Sequence, residues 1–181
     1  ISAAFAAPLL HLLNHENIGV HYRGNSSLGK STAGRVGNSV WGPPTDIHTF
    51  RATANGLEGI ASLHNDRLLS LDELGQISPS DAGPVVYMLG NGMGKGRATN
   101  LGLARKAVIW RVVFISTGEM SLEQVMAEAG KRPRAGQEVR FIEVPADTGA
   151  YGLFENLQSF ENGAAFSSHL KEICEQLYGT A

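Results

Sequence analysis

The chain has 181 residues, a mass of 19.3 kDa and a formal net charge of −2. That length fits one ordinary domain able to bury roughly 70% of its unfolded surface, so residues 1–181 read as a single unit. Hydrophobic residues at 43% and charged residues at 18% exclude a disordered chain and a coiled coil, and the weak overall charge excludes a general nucleic-acid coat.

Glycine is in excess, at 22 residues, and a globular chain spends it on turns and on backbone that something must approach closely. The single cysteine, Cys174, rules out an internal disulfide and a cysteine-rich zinc site, which fits a reducing, cytoplasmic setting. His11, His15, His21, His48, His64 and His169 are scattered, with no pair at a convincing metal-ligand spacing. The longest apolar stretch, 107–115, is interrupted by Arg111 and is too short for a membrane span. A chain that opens on Ile1 without methionine reads as a piece of a longer, multidomain protein.

In chain order, an apolar helix is predicted up to Asn14, with Pro8 kinking it or sitting in its first turn. IGVHYR (18–23) reads as a strand running into GNSSLGKST and a helix from Lys30 to about Val40, stopped by Gly42, Pro43 and Pro44. A weak strand is predicted over 47–51. An amphipathic segment follows with Leu57, Ile60, Ala61 and His64 on one face, then the buried strand RLLSL (67–71), which delivers Asp72 and Glu73 at its end. Ser80 and Asp81 open a helix toward Leu89. Residues 90–102 are glycine-rich and basic, and AVIWRVVFI (107–115) reads as a strong strand. Ser121 with Gln124 resembles a capping box for a helix through Ala129; VRFIEV (139–144) is the last strand, and a helix spans about 164–177. Strands alternating with helices predict an α/β three-layer sandwich around a mainly parallel sheet.

The sharpest motif is Gly24-Asn25-Ser26-Ser27-Leu28-Gly29-Lys30-Ser31, a full match to the phosphate-loop pattern, followed by Thr32. It follows a predicted strand and opens a predicted helix, the context that pattern requires. Loop amides turned inward cradle nucleotide phosphates, Lys30 reaches the β and γ phosphates, and Ser31 offers a hydroxyl to Mg²⁺. Asp72 is placed to hold the same metal ion. Glu73 is placed to activate water, which favours ATP hydrolysis over a phosphate-loop kinase. Ser116 and Thr117 end the 107–115 strand at the same sheet edge, where Thr117 can sense the γ phosphate. Positive charge is local: Lys95, Arg97, Arg105, Lys106 and Arg111 occur without an acid over 95–111, and Lys131, Arg132, Arg134 and Arg140 with only Glu138 over 131–140.

The segments HYRGNSSLGKSTAGRVGNSVWG, TANGLEGIASLHNDRLLSLDELGQ, YMLGNGMGKGRA, WRVVFISTGEMSL and RAGQEVRFIEVPAD resemble the DUF927 family over about 20–147. These are phosphate-loop ATPase domains of phage, plasmid and mobile-element proteins, and some relatives are similar to minichromosome-maintenance-type helicases within the AAA+ class. The resemblance implies an oligomeric ring ATPase acting on DNA, a helicase or helicase loader, with ATP and Mg²⁺ as its cofactors. It places an arginine that completes a neighbour's site on Arg132 or Arg134, with Arg134 preferred. It also places a pore hairpin before the sensor strand at GNGMGKGRATN, where Lys95 and Arg97 contact DNA phosphates. No arginine follows Arg140, so the helical lid and its arginine are expected to be reduced or missing. The alternative reading is a nucleotide-dependent scaffold or switch that recruits a partner without unwinding DNA.

Overall fold

Alternate residues of a β-strand point to opposite faces, and the central strands here use that period to build two cores at once. The computed structural model describes residues 1–98 and 104–179. Helices α1 (Ser2–Ala6) and α2 (Leu9–Leu13) are separated at Pro8, which stands at the start of α2. Next come β1 (Ile18–Arg23), α3 (Lys30–Asn38), β2 (Ile47–Thr49), α4 (Ala54–Leu63), β3 (Arg67–Asp72) and α5 (Pro79–Asn91). A small antiparallel pair, β4 (Arg97–Ala98) and β5 (Ala104–Arg105), precedes β6 (Val112–Gly118). The chain continues through α6 (Leu122–Ala127), α7 (Ala135–Glu138), β7 (Phe141–Pro145) and α8 (Gly163–Gln176).

The main sheet has the order β2-β3-β6-β1-β7, with every neighbouring pair parallel. Val112 and Phe114 face a core shared with Leu69, Leu71, Phe141 and the apolar sides of α4, α5 and α6. Val113 and Ile115 face the other way, with Leu68, onto Ala4, Ala7 and Leu10 of the first two helices. This is the expected three-layer α/β sandwich. Each connection between sheet strands leaves a carboxyl end, so β1, β3 and β6 open their loops on one edge.

Two strand starts differ from the sequence reading. The strand expected over 107–115 is β6, at 112–118; residues 107–111 instead form the return arm of an antiparallel excursion, with Gly94 donating to Val108 O and Trp110 to Gly92 O. Asn17 fixes that switch, since its side chain accepts from Val112 N–H and donates to Leu89 O. The last strand starts at Phe141, because the short helix α7 takes up the residues before it. Pro84 lies inside α5, and the carbonyl of Ser80 that a residue-84 amide would have bound accepts from Lys131 Nζ at 3.0 Å.

Gly19, the second residue of β1, lies against two stacked phenylalanines: a Cβ there would be 2.3 Å from the Phe114 ring and 2.8 Å from Phe141. Gly19→Ala is expected to destabilise the fold by about 1–3 kcal/mol through overpacking, read as a lower guanidinium unfolding midpoint with an unchanged slope.

Candidate functional site

The phosphate loop is the turn from β1 into α3. Gly29 is left-handed, at φ +88°, immediately before Lys30 begins the helix, so the first turn of α3 points its free amides into the loop. Ser27 also stands in the left-handed region at φ +66°, a conformation that costs a non-glycine residue about 1–3 kcal/mol and that the surrounding structure must hold. Lys30 is buried and folds back across the loop, donating from Nζ to Gly24 O and to Asn25 O, each at 2.6 Å. Asn25, Ser26, Ser27 and Ser31 are exposed at the mouth, and Ser26 Oγ donates to Glu119 Oε1 at 2.7 Å.

The acids arrive from the neighbouring strands. Asp72 ends β3, and Glu73 follows in a left-handed conformation, φ +59°, that turns the chain away from the sheet. Thr117, buried in β6, joins the two: its hydroxyl donates to Asp72 Oδ1 in a short hydrogen bond and accepts the Glu73 backbone N–H at 3.3 Å. Residues 26–32, Asp72, Glu73 and Thr117 all line one cleft of about 610 Å³, within the range of small-ligand sites. The strand–loop–helix motif and the acids named from sequence therefore meet at the carboxyl ends of β1, β3 and β6. Arg132 and Arg134 do not line this cleft; both are exposed, Arg134 at the start of α7.

Sequence reasoning missed the far wall. Tyr151, Gly152 and Phe154 line the cleft, and Leu153 N–H donates to Leu28 O at 2.8 Å, tying this segment to the phosphate loop. Behind it, α8 lies along α3, held by Arg35–Glu175 at 3.7 Å and by a short hydrogen bond between the hydroxyls of Thr32 and Ser167. Thr32 is thus spent on α8. Ala164, Ser167, Ser168 and Lys171 project into the cleft from one helical face. Their spacing of i, i+3, i+4 and i+7 sets them on one face, a pattern that any solvated helix face shows equally in the sequence.

At the hairpin, β4 and β5 pair Arg97 with Arg105 and Ala98 with Ala104, and an isolated bridge joins Met93 to Ile109. Lys95 is exposed, and its backbone N–H donates to buried Glu58 of α4 at 3.4 Å. Arg97 is described at the backbone only, and Thr99 and Asn100 lie outside the described residues.

An all-parallel sheet carrying this loop between an interior strand and a helix is the P-loop nucleoside-triphosphatase architecture. The chain belongs to the DUF927 family, described as a domain of unknown function, whose family model matches residues 1–108. Among solved structures it is similar to the active helicase Cch of SCCmec type IV, with 26% identity and a TM-score of 0.69. That similarity covers 99% of this chain and 30% of the helicase, so the chain spans less than a third of that protein's length. More distant is NtrX from Brucella abortus, at 17% identity and TM-score 0.43 over 80% of this chain and 34% of that one. The NtrX complex with ATP gives 16% identity and TM-score 0.44 over 78% and 36%. No curated protein matches the sequence. Among the described residues, no helix is long and apolar enough to cross a membrane.

Under the site, His21 of β1 bridges to β6. Its Nε2 donates to Met120 O at 3.0 Å, which leaves Nδ1 to accept from Ser116 Oγ at 2.8 Å. Burial holds this imidazole below its usual value of 6.5. The folded chain therefore binds the proton less readily than the unfolded one; His21 lends full stability above 6.5, and the loss sets in as pH falls below that value. Between about pH 7.5 and pH 5.5, wild type is expected to lose more unfolding free energy than His21→Gln, measured by denaturant titration at each pH.

Proposed function

We propose that this domain binds and hydrolyses ATP as the motor of a DNA helicase or helicase loader in mobile-element replication, working in an AAA+-type homo-oligomeric ring. The observation that carries the reading is the meeting of Lys30, Ser31, Asp72, Glu73 and Thr117 in one cleft at the carboxyl ends of the parallel strands. The likeness to an active helicase over nearly the whole chain supports the motor role.

The backbone from Gly24 to Thr32 forms the phosphate cradle. Lys30 now bonds two loop carbonyls, and an arriving β,γ-phosphate pair offers its ammonium stronger, charged acceptors. Ser31 hydroxyl and Asp72 carboxylate are hard oxygen donors facing the same space, which fits a magnesium ion. Mg²⁺, when bound, neutralises charge on the phosphates. Glu73 orients the attacking water and takes its proton. Thr117 fixes Asp72 and the Glu73 backbone relative to β6, so a group meeting its hydroxyl is felt by both acids. Lys171 closes over the phosphates from α8 in place of a lid arginine. Arg134, or Arg132 beside it, faces away from its own cleft and is available to complete a neighbour's site in a ring.

Two measurements test this reading. Lys30→Ala is expected to weaken ATP binding by roughly 10- to 100-fold, the worth of lost charged hydrogen bonds. Glu73→Gln is expected to bind ATP almost normally and turn it over about 10² to 10⁴ times more slowly; unchanged turnover would move the base elsewhere. In the motor, DNA stimulates hydrolysis, and replacing Lys95 and Arg97 together with Ala abolishes that stimulation and flattens its salt dependence. A wild-type ATPase indifferent to DNA points instead to a nucleotide-dependent scaffold.

A further inference from the structure

At the other end of the sheet, the fold gathers three side chains that no sequence spacing joined. Asp46 precedes the edge strand β2, His48 lies within it, and His64 follows the last turn of α4. One ligand atom from each lies within 4.8 Å of the other two. Asp46 Oδ1 is 3.2 Å from His48 Nε2, and Asp46 Oδ2 is 3.3 Å from His64 Nε2, so one carboxylate spans two imidazoles.

The protons decide what this arrangement is for. His64 Nδ1 is 2.9 Å from Ile60 O, a carbonyl that can only accept, so the hydrogen of a neutral His64 sits on Nδ1. Its Nε2 then turns a lone pair toward a carboxylate oxygen 3.3 Å away, two acceptors facing each other across a site where His64 is only 7% exposed. His48 Nε2 is also buried, and although Asp46 is near, it makes no hydrogen bond. Such a contact is repulsive unless a positive charge stands between the atoms. That charge is a proton or a metal ion.

We propose that Asp46, His48 and His64 bind a divalent transition-metal ion, zinc by preference. Two imidazole nitrogens and one carboxylate oxygen are a zinc donor set with a fourth position left open. Bonds of about 2.0–2.1 Å at the tetrahedral angle put donor atoms roughly 3.3–3.5 Å apart, close to the spacing at which each Asp46 oxygen stands from its own imidazole nitrogen, 3.2 Å and 3.3 Å. The Nδ1–H of His64 bound to a backbone carbonyl is the outer-shell contact that fixes ring orientation in such sites. A cavity of about 100 Å³ beside the cluster, walled by Asn38, Trp41, Pro43 and His64, has room for water at the fourth position. The ion ties a three-residue edge strand to α4, at the amino ends of the strands, far along the sheet from the phosphate loop. The histidines still share no metal-ligand spacing in the sequence; these two come from separate elements and meet only through the fold.

The test uses the metal alone. The purified chain, stripped with chelator, is titrated with Co²⁺ and then Zn²⁺ while the visible spectrum and the melting temperature are followed. Wild type is expected to take up one equivalent, with the strong d–d bands of four-coordinate cobalt that zinc abolishes, and to melt higher with zinc. Asp46→Asn and His48→Gln, both partly exposed and tolerable to the fold, are expected to weaken uptake roughly tenfold or more. Asp72→Asn, at the nucleotide cleft, is expected to leave it intact. Wild type that melts cooperatively yet binds neither metal overturns the proposal in favour of a protonated Asp–His pair. Uptake that survives Asp46→Asn and His48→Gln, or is lost in Asp72→Asn, overturns it too, by placing the ion elsewhere.

Discussion

The pairing of β1 with β6 is the contact on which the site depends. Its register sets Tyr22 opposite Thr117 and Arg23 opposite Gly118, so the strand that ends in the phosphate loop and the strand that carries Thr117 finish level. On its other side β6 holds β3 with Leu71 opposite Ser116, which brings Asp72 alongside Thr117. A two-residue slip in either pairing would move a carboxylate by nearly 7 Å along the strand direction, far beyond hydrogen-bond reach. The buried His21–Ser116 contact works against that slip from beneath the site, because it satisfies both polar groups only in the observed alignment.

Much of this was legible beforehand, for reasons that differ by element. The phosphate loop was visible because its function demands particular residue types at fixed places, and β3 because a short apolar run stopped at two acids. The start of β6 was misread because Val108, Ile109 and Trp110 have the composition of a strand, while what ends the hairpin arm is Asn17, 95 residues earlier than Val112 in the chain. α7 is a single turn stabilised by its own capping contacts, below the length at which periodicity speaks. The cleft's far wall was unreadable as chemistry because serine, alanine and one lysine on a helix look like a solvated face until another surface is set against them.

That wall changes the character of the site. The segment 151–154 is hydrogen-bonded to the phosphate loop, and Phe154, Phe160, Phe166 and His169 pack ring on ring to join it to α8. The Thr32 hydroxyl, next to Ser31, is committed to Ser167 of α8, so the helix that opens at the loop and the helix that walls the cleft share a joint. The far wall of the cleft is therefore anchored on the same helix that the loop opens.

The hairpin has a comparable continuity. Its return arm runs from Arg105 through the Ile109 bridge and Trp110 into Val112, and five residues further on stands Thr117, hydrogen-bonded to Asp72. Its root is fastened to the body at two points, by Gly94 and Lys95 against Glu58 and by Trp110 against Leu89. The root of the hairpin and the acid pair thus share one short stretch of backbone, so a displacement of that root meets Glu58 and Leu89 before it reaches Thr117 and Asp72.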